Sequence, residues 1–186
     1  MSARVIPQLC FAVRVTIGLL AFAAALSTPA DAEITVSGQL SIPYDGSDPW
    51  VPGGNLHISF DMPAEMTVDT GSSVFGINGF IGSGPSGDGV VLITGTDGVD
   101  PSTWTNSGNL EVAREGIGTL TIADGALVDN ALGFIASFAT GEGHVIVTDA
   151  GSTWDNTQLA IGYLGLGLME VTDGGLVANQ LLAFPT

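Results

Sequence analysis

Residues 102–112 read STWTNSGNLEV, and residues 152–161 read STWDNTQLAI. The echo extends in both directions. WVPGGNLHI from Trp50 aligns with WTNSGNLEV from Trp104, which sets Leu56 over Leu110. MTVDTGSSV from Met66 aligns with LTIADGALV from Leu120, GFIGS from Gly79 with GFIAS from Gly133, and VLI from Val91 with VIV from Val145. All these pairs share one offset of 54 residues. Gly/Ser/Thr-rich composition alone does not hold register over so long a span, so the chain is an array of one repeated unit. A third copy follows with shorter offsets: Trp104 maps to Trp154 (50), Leu110 to Leu159 (49), and LTIADGALV to MEVTDGGLV from Met169 (49). The copies cover approximately residues 33–93, 94–147 and 148–186, the last truncated.

Each copy contains a weaker half-repeat. GTLTIADGALVDN from Gly118 resembles GHVIVTDAGSTWDN from Gly143 at an offset of 25, and Leu110 and Ile135 are also 25 apart. The basic module is therefore about 25 residues, in two alternating variants. Within a module the period is two: Leu120 and Ile122 alternate with Thr119 and Thr121, and Leu110 and Val112 with Asn109 and Glu111. That is the pattern of half-buried strands, punctuated by turn clusters such as Asp124-Gly125 and Asp173-Gly174-Gly175. A short all-β module cannot bury its apolar face alone and must stack on its neighbours. The expected fold is an all-β β-solenoid (β-helix) of about 25-residue coils in about 50-residue double repeats, roughly six coils at about 4.8 Å each. Glycines such as Gly118, Gly143 and Gly167 are expected at its corners, supplying backbone angles that other residues resist. An antiparallel sandwich is the rival reading of short, regularly spaced strands.

Residues 1–32 stand apart as an expected helical signal peptide. Arg4 and Arg14 lead the uncharged run VTIGLLAFAAALS (Val15 to Ser27), and Ala30 and Ala32 offer a small-residue cleavage site. The run is shorter than the roughly 20 residues of a membrane anchor, so contact with membrane is expected only during export. The expected location is secreted or cell-surface, with residues 33–186 forming the repeat domain. Of 19 acidic residues only Asp31 falls in the leader, and of three basic residues only Arg114 falls outside it, leaving 18 against one and a net charge of −17. Nucleic acid is excluded as a partner, because one arginine cannot displace the counterions of a phosphate backbone. The only cysteine, Cys10, lies in the leader. Burial and backbone hydrogen bonding must then stabilise the domain without disulfides.

The pattern STW-x-N-S-G-x-L-x-V, then G-x-L-T-I-x-x-G, then G-F-I-x-S, then V-x-V-x-x-x-G-S-T-W resembles the type V secretion/PEP-CTERM-associated repeat, over residues 34 to about 182. The resemblance implies exported bacterial proteins whose repeats build β-solenoid stalks or passengers at the cell surface. It transfers no catalytic residue. Neither an outer-membrane barrel nor a Pro-Glu-Pro sorting tail accompanies the repeats in this sequence.

Trp50, Trp104 and Trp154 hold equivalent positions and are expected two coils apart, as corner side chains covering the coil edge; a ladder for sugar rings is the alternative. Leu56, Leu110 and Leu159, with Gly79 and Gly133, complete the structural repeat. The loops before the tryptophans hold Asp45 and Asp48, Asp97 and Asp100, and Asp149. Carboxylates so gathered are Ca²⁺ candidates, the only cofactor the sequence suggests, although Asp also belongs in turns for its own hydrogen bonding. His57 and His144 fall at non-equivalent repeat positions, and no nucleophile, zinc or phosphate-loop motif is present. The expected function is therefore structural or adhesive, without enzyme activity, and the alternative is a polysaccharide-active β-helix glycosidase or lyase with paired carboxylates. Carboxylates converging in one cleft would favour the enzyme; carboxylates repeating along the rod would favour the array. The expected partners are other copies, through exposed solenoid ends such as NQLLAFPT (179–186), or extracellular polysaccharide and matrix.

Overall fold

The computed structural model describes residues 32–180. The expected signal peptide, apart from Ala32, lies outside the described residues, as do Leu181, Leu182, Phe184 and Pro185. The described chain forms strands and turns without a helix: β1 (Glu33–Gly38), β2 (Asn55–Ile58), β3 (Ala64–Asp69), β4 (Ser73–Gly76), β5 (Asn78–Ile81), β6 (Asp88–Thr94), β7 (Thr103–Val112), β8 (Ile117–Ala123), β9 (Leu127–Ile135), β10 (Glu142–Val147), β11 (Thr153–Ile161), β12 (Leu166–Val171) and β13 (Leu176–Asn179).

The strands alternate between two facing sheets. One runs β1-β3-β6-β8-β10-β12, and the other β2-β5-β7-β9-β11-β13 with β4 also pairing β7. Beyond β1 every pairing between these strands is parallel, so Met66, Val91, Leu120, Val145 and Met169 stand in one column. Parallel neighbours, each separated in sequence by a visit to the opposite sheet, make a β-solenoid and exclude the antiparallel sandwich. Leu110 and Ile135 belong to the single core between the sheets.

Three expectations need correction. The first is the coil number, which is five, with β13 opening a sixth. The segment around Ile34 and Val36 is not a coil. β1 runs antiparallel to β3, Glu33 opposite Asp69 and Gly38 opposite Ala64, so the loop before Trp50 is not equivalent to the later ones. Leu40, Ile42 and Tyr44 then pack onto the core, and the Tyr44 ring meets Trp50 edge-on at 5.3 Å. The segment folds back over the end of the stack and pairs its first strand edge.

The half-repeat register is the second. Ile135 pairs with Val112, and Leu110 with Gly133. The shift is two residues, which in a strand keeps the same face.

The third is the role of the glycines. Gly89, Gly118, Gly143 and Gly167 form a column inside the strands. Gly118 matters for close approach, since a Cβ there would lie 2.5 Å from the Ala113 nitrogen. The left-handed corner belongs instead to Ser59, Gly82, Ala113, Ala136 and Gly162, all with φ of 59–66°. At the opposite edge, Thr70-Gly71, Asp124-Gly125 and Asp173-Gly174 have φ of 50–91°, and each is spanned by a hydrogen bond between the flanking residues. These are turns that only Gly, Asp and a few others adopt readily.

Packing explains why a 25-residue coil is written in a 50-residue phrase. One interior column reads Trp50, Val74, Trp104, Val128, Trp154, Val177. Its neighbour reads Leu56, Gly79, Leu110, Gly133, Leu159. A Cβ on Gly79 would sit 2.5 Å from Trp104 Cζ2 and 2.9 Å from Leu110 Cδ1. An indole is too wide for one step of the stack, so a Trp–Leu coil leans into the space left by a Val–Gly coil.

Candidate functional site

All three tryptophans are fully buried. They are interior side chains, neither a platform for sugars nor a cover on the coil edge. Beside them runs a buried polar column that the sequence reading missed. Trp154 Nε1 donates to Asn130 Oδ1 at 2.8 Å, and Asn130 Nδ2 donates to Asn156 Oδ1 at 2.8 Å. Asn106 continues the column, but Gly76 occupies the next position. Trp104 Nε1 therefore has no partner where Trp154 has one. The signal was present as Asn two residues after Trp104, Val128, Trp154 and Val177 of the interior column.

The calcium candidates are separate turn residues. Asp45 accepts from the Ser47 hydroxyl at 2.6 Å and the Ser47 amide at 3.0 Å, which holds its pKa below the usual carboxylate value. The amides of Asp100 and Val99, each at 2.7 Å, do the same for Asp97. Asp48 accepts from the Ser73 amide at 3.0 Å, and Asp149 from the Asp124 amide at 3.4 Å. Asp100 is exposed in the Asp97 turn. Among the described residues no three acidic, His or Cys side chains come together as a metal site. Other carboxylates climb the same edge: Thr94 donates to Asp124, and Thr148, two coils further on, to Asp173.

Side chains do converge on the outer face of the other sheet, at the opposite edge. His57, Phe80, Glu111 and Phe134 form an outward column, set by the same registers that build the core. His57 stacks on Phe80, centroids 4.5 Å apart, and its Nδ1 lies 2.9 Å from Ser83 Oγ. Burial, then the charge of Arg114, lowers the His57 pKa. Arg114, the only Lys or Arg among the described residues, lies over Phe80 at 5.6 Å and over Phe138 at 5.2 Å. Its Nε is 3.8 Å from Glu111 Oε2. The Phe134 and Tyr163 rings meet edge to face at 5.9 Å. Between them opens a groove of about 260 Å³ lined by Glu111, Arg114, Phe134, Ser137, Phe138 and Tyr163 among others. Sequence reading noted Phe80 and Phe134 only within the two GFI phrases; their shared outward position was the signal for the groove. On the other sheet His144 Nε2 lies 3.1 Å from Glu170 Oε1.

The fold defines the class: a two-sheeted parallel β-solenoid whose first coil is covered by a reversed strand. Comparison with family models, with curated proteins and with solved structures gave no match to this chain.

Proposed function

We propose that this protein is an exported structural or adhesive module of the bacterial cell surface, working without catalysis. One observation carries the reading, the open face that the last coil presents among the described residues. Ile161 and Val171 occupy interior positions, yet are 46% and 44% exposed, whereas their counterparts Ile135 and Val147 are 0% exposed. Among the described residues, β12 and β13 also keep one unpaired edge each. Such a face receives another layer. The partner is a second copy meeting it tail to tail, since β1 seals the other end against head-to-tail stacking. Support for a surface rod also comes from the repeat pattern resembling type V secretion/PEP-CTERM-associated repeats, and from carboxylates spread along one edge.

The test is light scattering of residues 33–186 over a range of concentration and salt. Dimers that strengthen with salt are expected, because both copies are strongly acidic. Val171→Asp should leave a folded monomer. A wild-type monomer at every concentration and salt would overturn the assembly. Release of reducing ends or unsaturated products from polysaccharide would overturn the non-catalytic reading. An exported protein isolated from cells should begin at Glu33.

A further inference from the structure

We infer that the groove between Phe134, Phe138 and Tyr163 binds a neutral sugar ring. This goes beyond the structural role, because the chemistry of the groove depends neither on export nor on assembly. The three aromatic residues come from two successive circuits: Phe134 and Phe138 flank the end of β9, and Tyr163 follows β11. Phe138 is 42% and Tyr163 62% exposed, so ring surface remains in contact with water. Polar groups stand around it: the Glu111 carboxylate accepts, the Arg114 guanidinium and the Asn109 amide donate, and the Ser137 hydroxyl does both. Ser137 is only 7% exposed and its Oγ has no hydrogen-bond partner, although it lines the groove. A buried hydroxyl is rarely left unpaired unless something else satisfies it.

Aromatic faces beside mixed donors and acceptors match the two sides of a pyranose. Its C–H groups carry partial positive charge and rest on the negative face of a ring, while its hydroxyls reach the polar rim. At about 260 Å³ the groove is below the usual size of clefts for drug-sized ligands, about 300–1,000 Å³, and suits one ring of a chain that extends beyond it. Charge selects against acidic sugars. Glu111 already balances Arg114, and the rest of the domain is strongly negative.

Isothermal titration of residues 33–186 with cellohexaose, laminarihexaose, mannohexaose and oligogalacturonate tests the inference, with a proline-rich peptide as the competing class. Binding of at least one neutral hexasaccharide is expected, with oligogalacturonate weaker. Tyr163→Ala and Phe138→Ala should each weaken binding about tenfold, with melting temperature little changed because both rings are half in water. Phe75→Ala, an exposed aromatic outside the groove, should bind as wild type. No heat with any neutral sugar at millimolar concentration would overturn the inference. So would binding indifferent to Tyr163→Ala and Phe138→Ala, stronger binding of oligogalacturonate, or binding of the peptide alone.

Discussion

The two ends of the stack solve the same problem differently. At the first coil the chain turns back, β1 pairs antiparallel with β3, and Leu40, Ile42 and Tyr44 lie over the core, so that Leu56, Ile58 and Met66 are buried. At the last described coil Leu159, Met169 and Val177 are only half-buried. The comparison teaches that a stack of near-identical coils is stabilised by neighbours on both sides, and that a reversed strand ends the array because it offers the next coil no parallel edge.

Removing the cap should be the strongest blow to that picture. A chain starting at Pro49 would expose the first coil, and it is expected to collect in the insoluble fraction. Soluble protein melting like wild type would show that the cap is dispensable.

The next test matches one interior position at two heights. Ile135→Ala should cost about 3 kcal/mol in denaturant unfolding. Ile161→Ala, already half in water, should cost less than about 1 kcal/mol. Equal losses would mean that the last coil is covered in solution.

Gly79→Ala probes the packed interior and should cost about 2 kcal/mol, because the added methyl meets the Trp104 ring. In the Trp104→Val background the same change should cost clearly less, a coupling readable from a double-mutant cycle.

The smallest effects concern pH, and they take opposite signs near the two ends. His57 in the first coil has a lowered folded pKa from burial and from Arg114. Its contribution is complete above its ordinary value near 6.5 and is lost as pH falls below that value towards the folded one. A fall in Tm of about 2 °C is expected over that window, and it should vanish in His57→Phe. Asp129 and Asp155 are paired neighbours on β9 and β11, and Asp129 is raised by desolvation and then by Asp155. Its ionised form is disfavoured in the fold, so its stabilising protonation is lost as pH rises through that raised value. Asp129→Asn should raise Tm at neutral pH by about 1 °C.

Much of this architecture was legible because strand period and repeat register are local properties. Leu120 and Ile122, alternating with threonines, announced an inward face, and the 54-residue offset announced stacking. The direction of β1 was not legible: EITVSG has the composition of any strand here, and nothing in it distinguishes the antiparallel pairing with β3 from a parallel one. Gly118 looked like a corner because Gly usually is one; its need arises from a neighbouring backbone that no short pattern reveals. The aromatic groove escaped for a related reason. Glu111 and Arg114, Phe134 and Phe138, and Tyr163 come from three successive circuits of the chain and meet only once these are superposed.

The alternation of indole and glycine also sets a rule for how such a rod changes length. Insertion or loss of a single circuit would place either two indole circuits or two valine–glycine circuits on adjacent storeys, overfilling the interior in the first case and underfilling it in the second. Growth by duplication therefore proceeds in pairs of circuits, in increments of about 10 Å, so the rod has permitted and forbidden lengths.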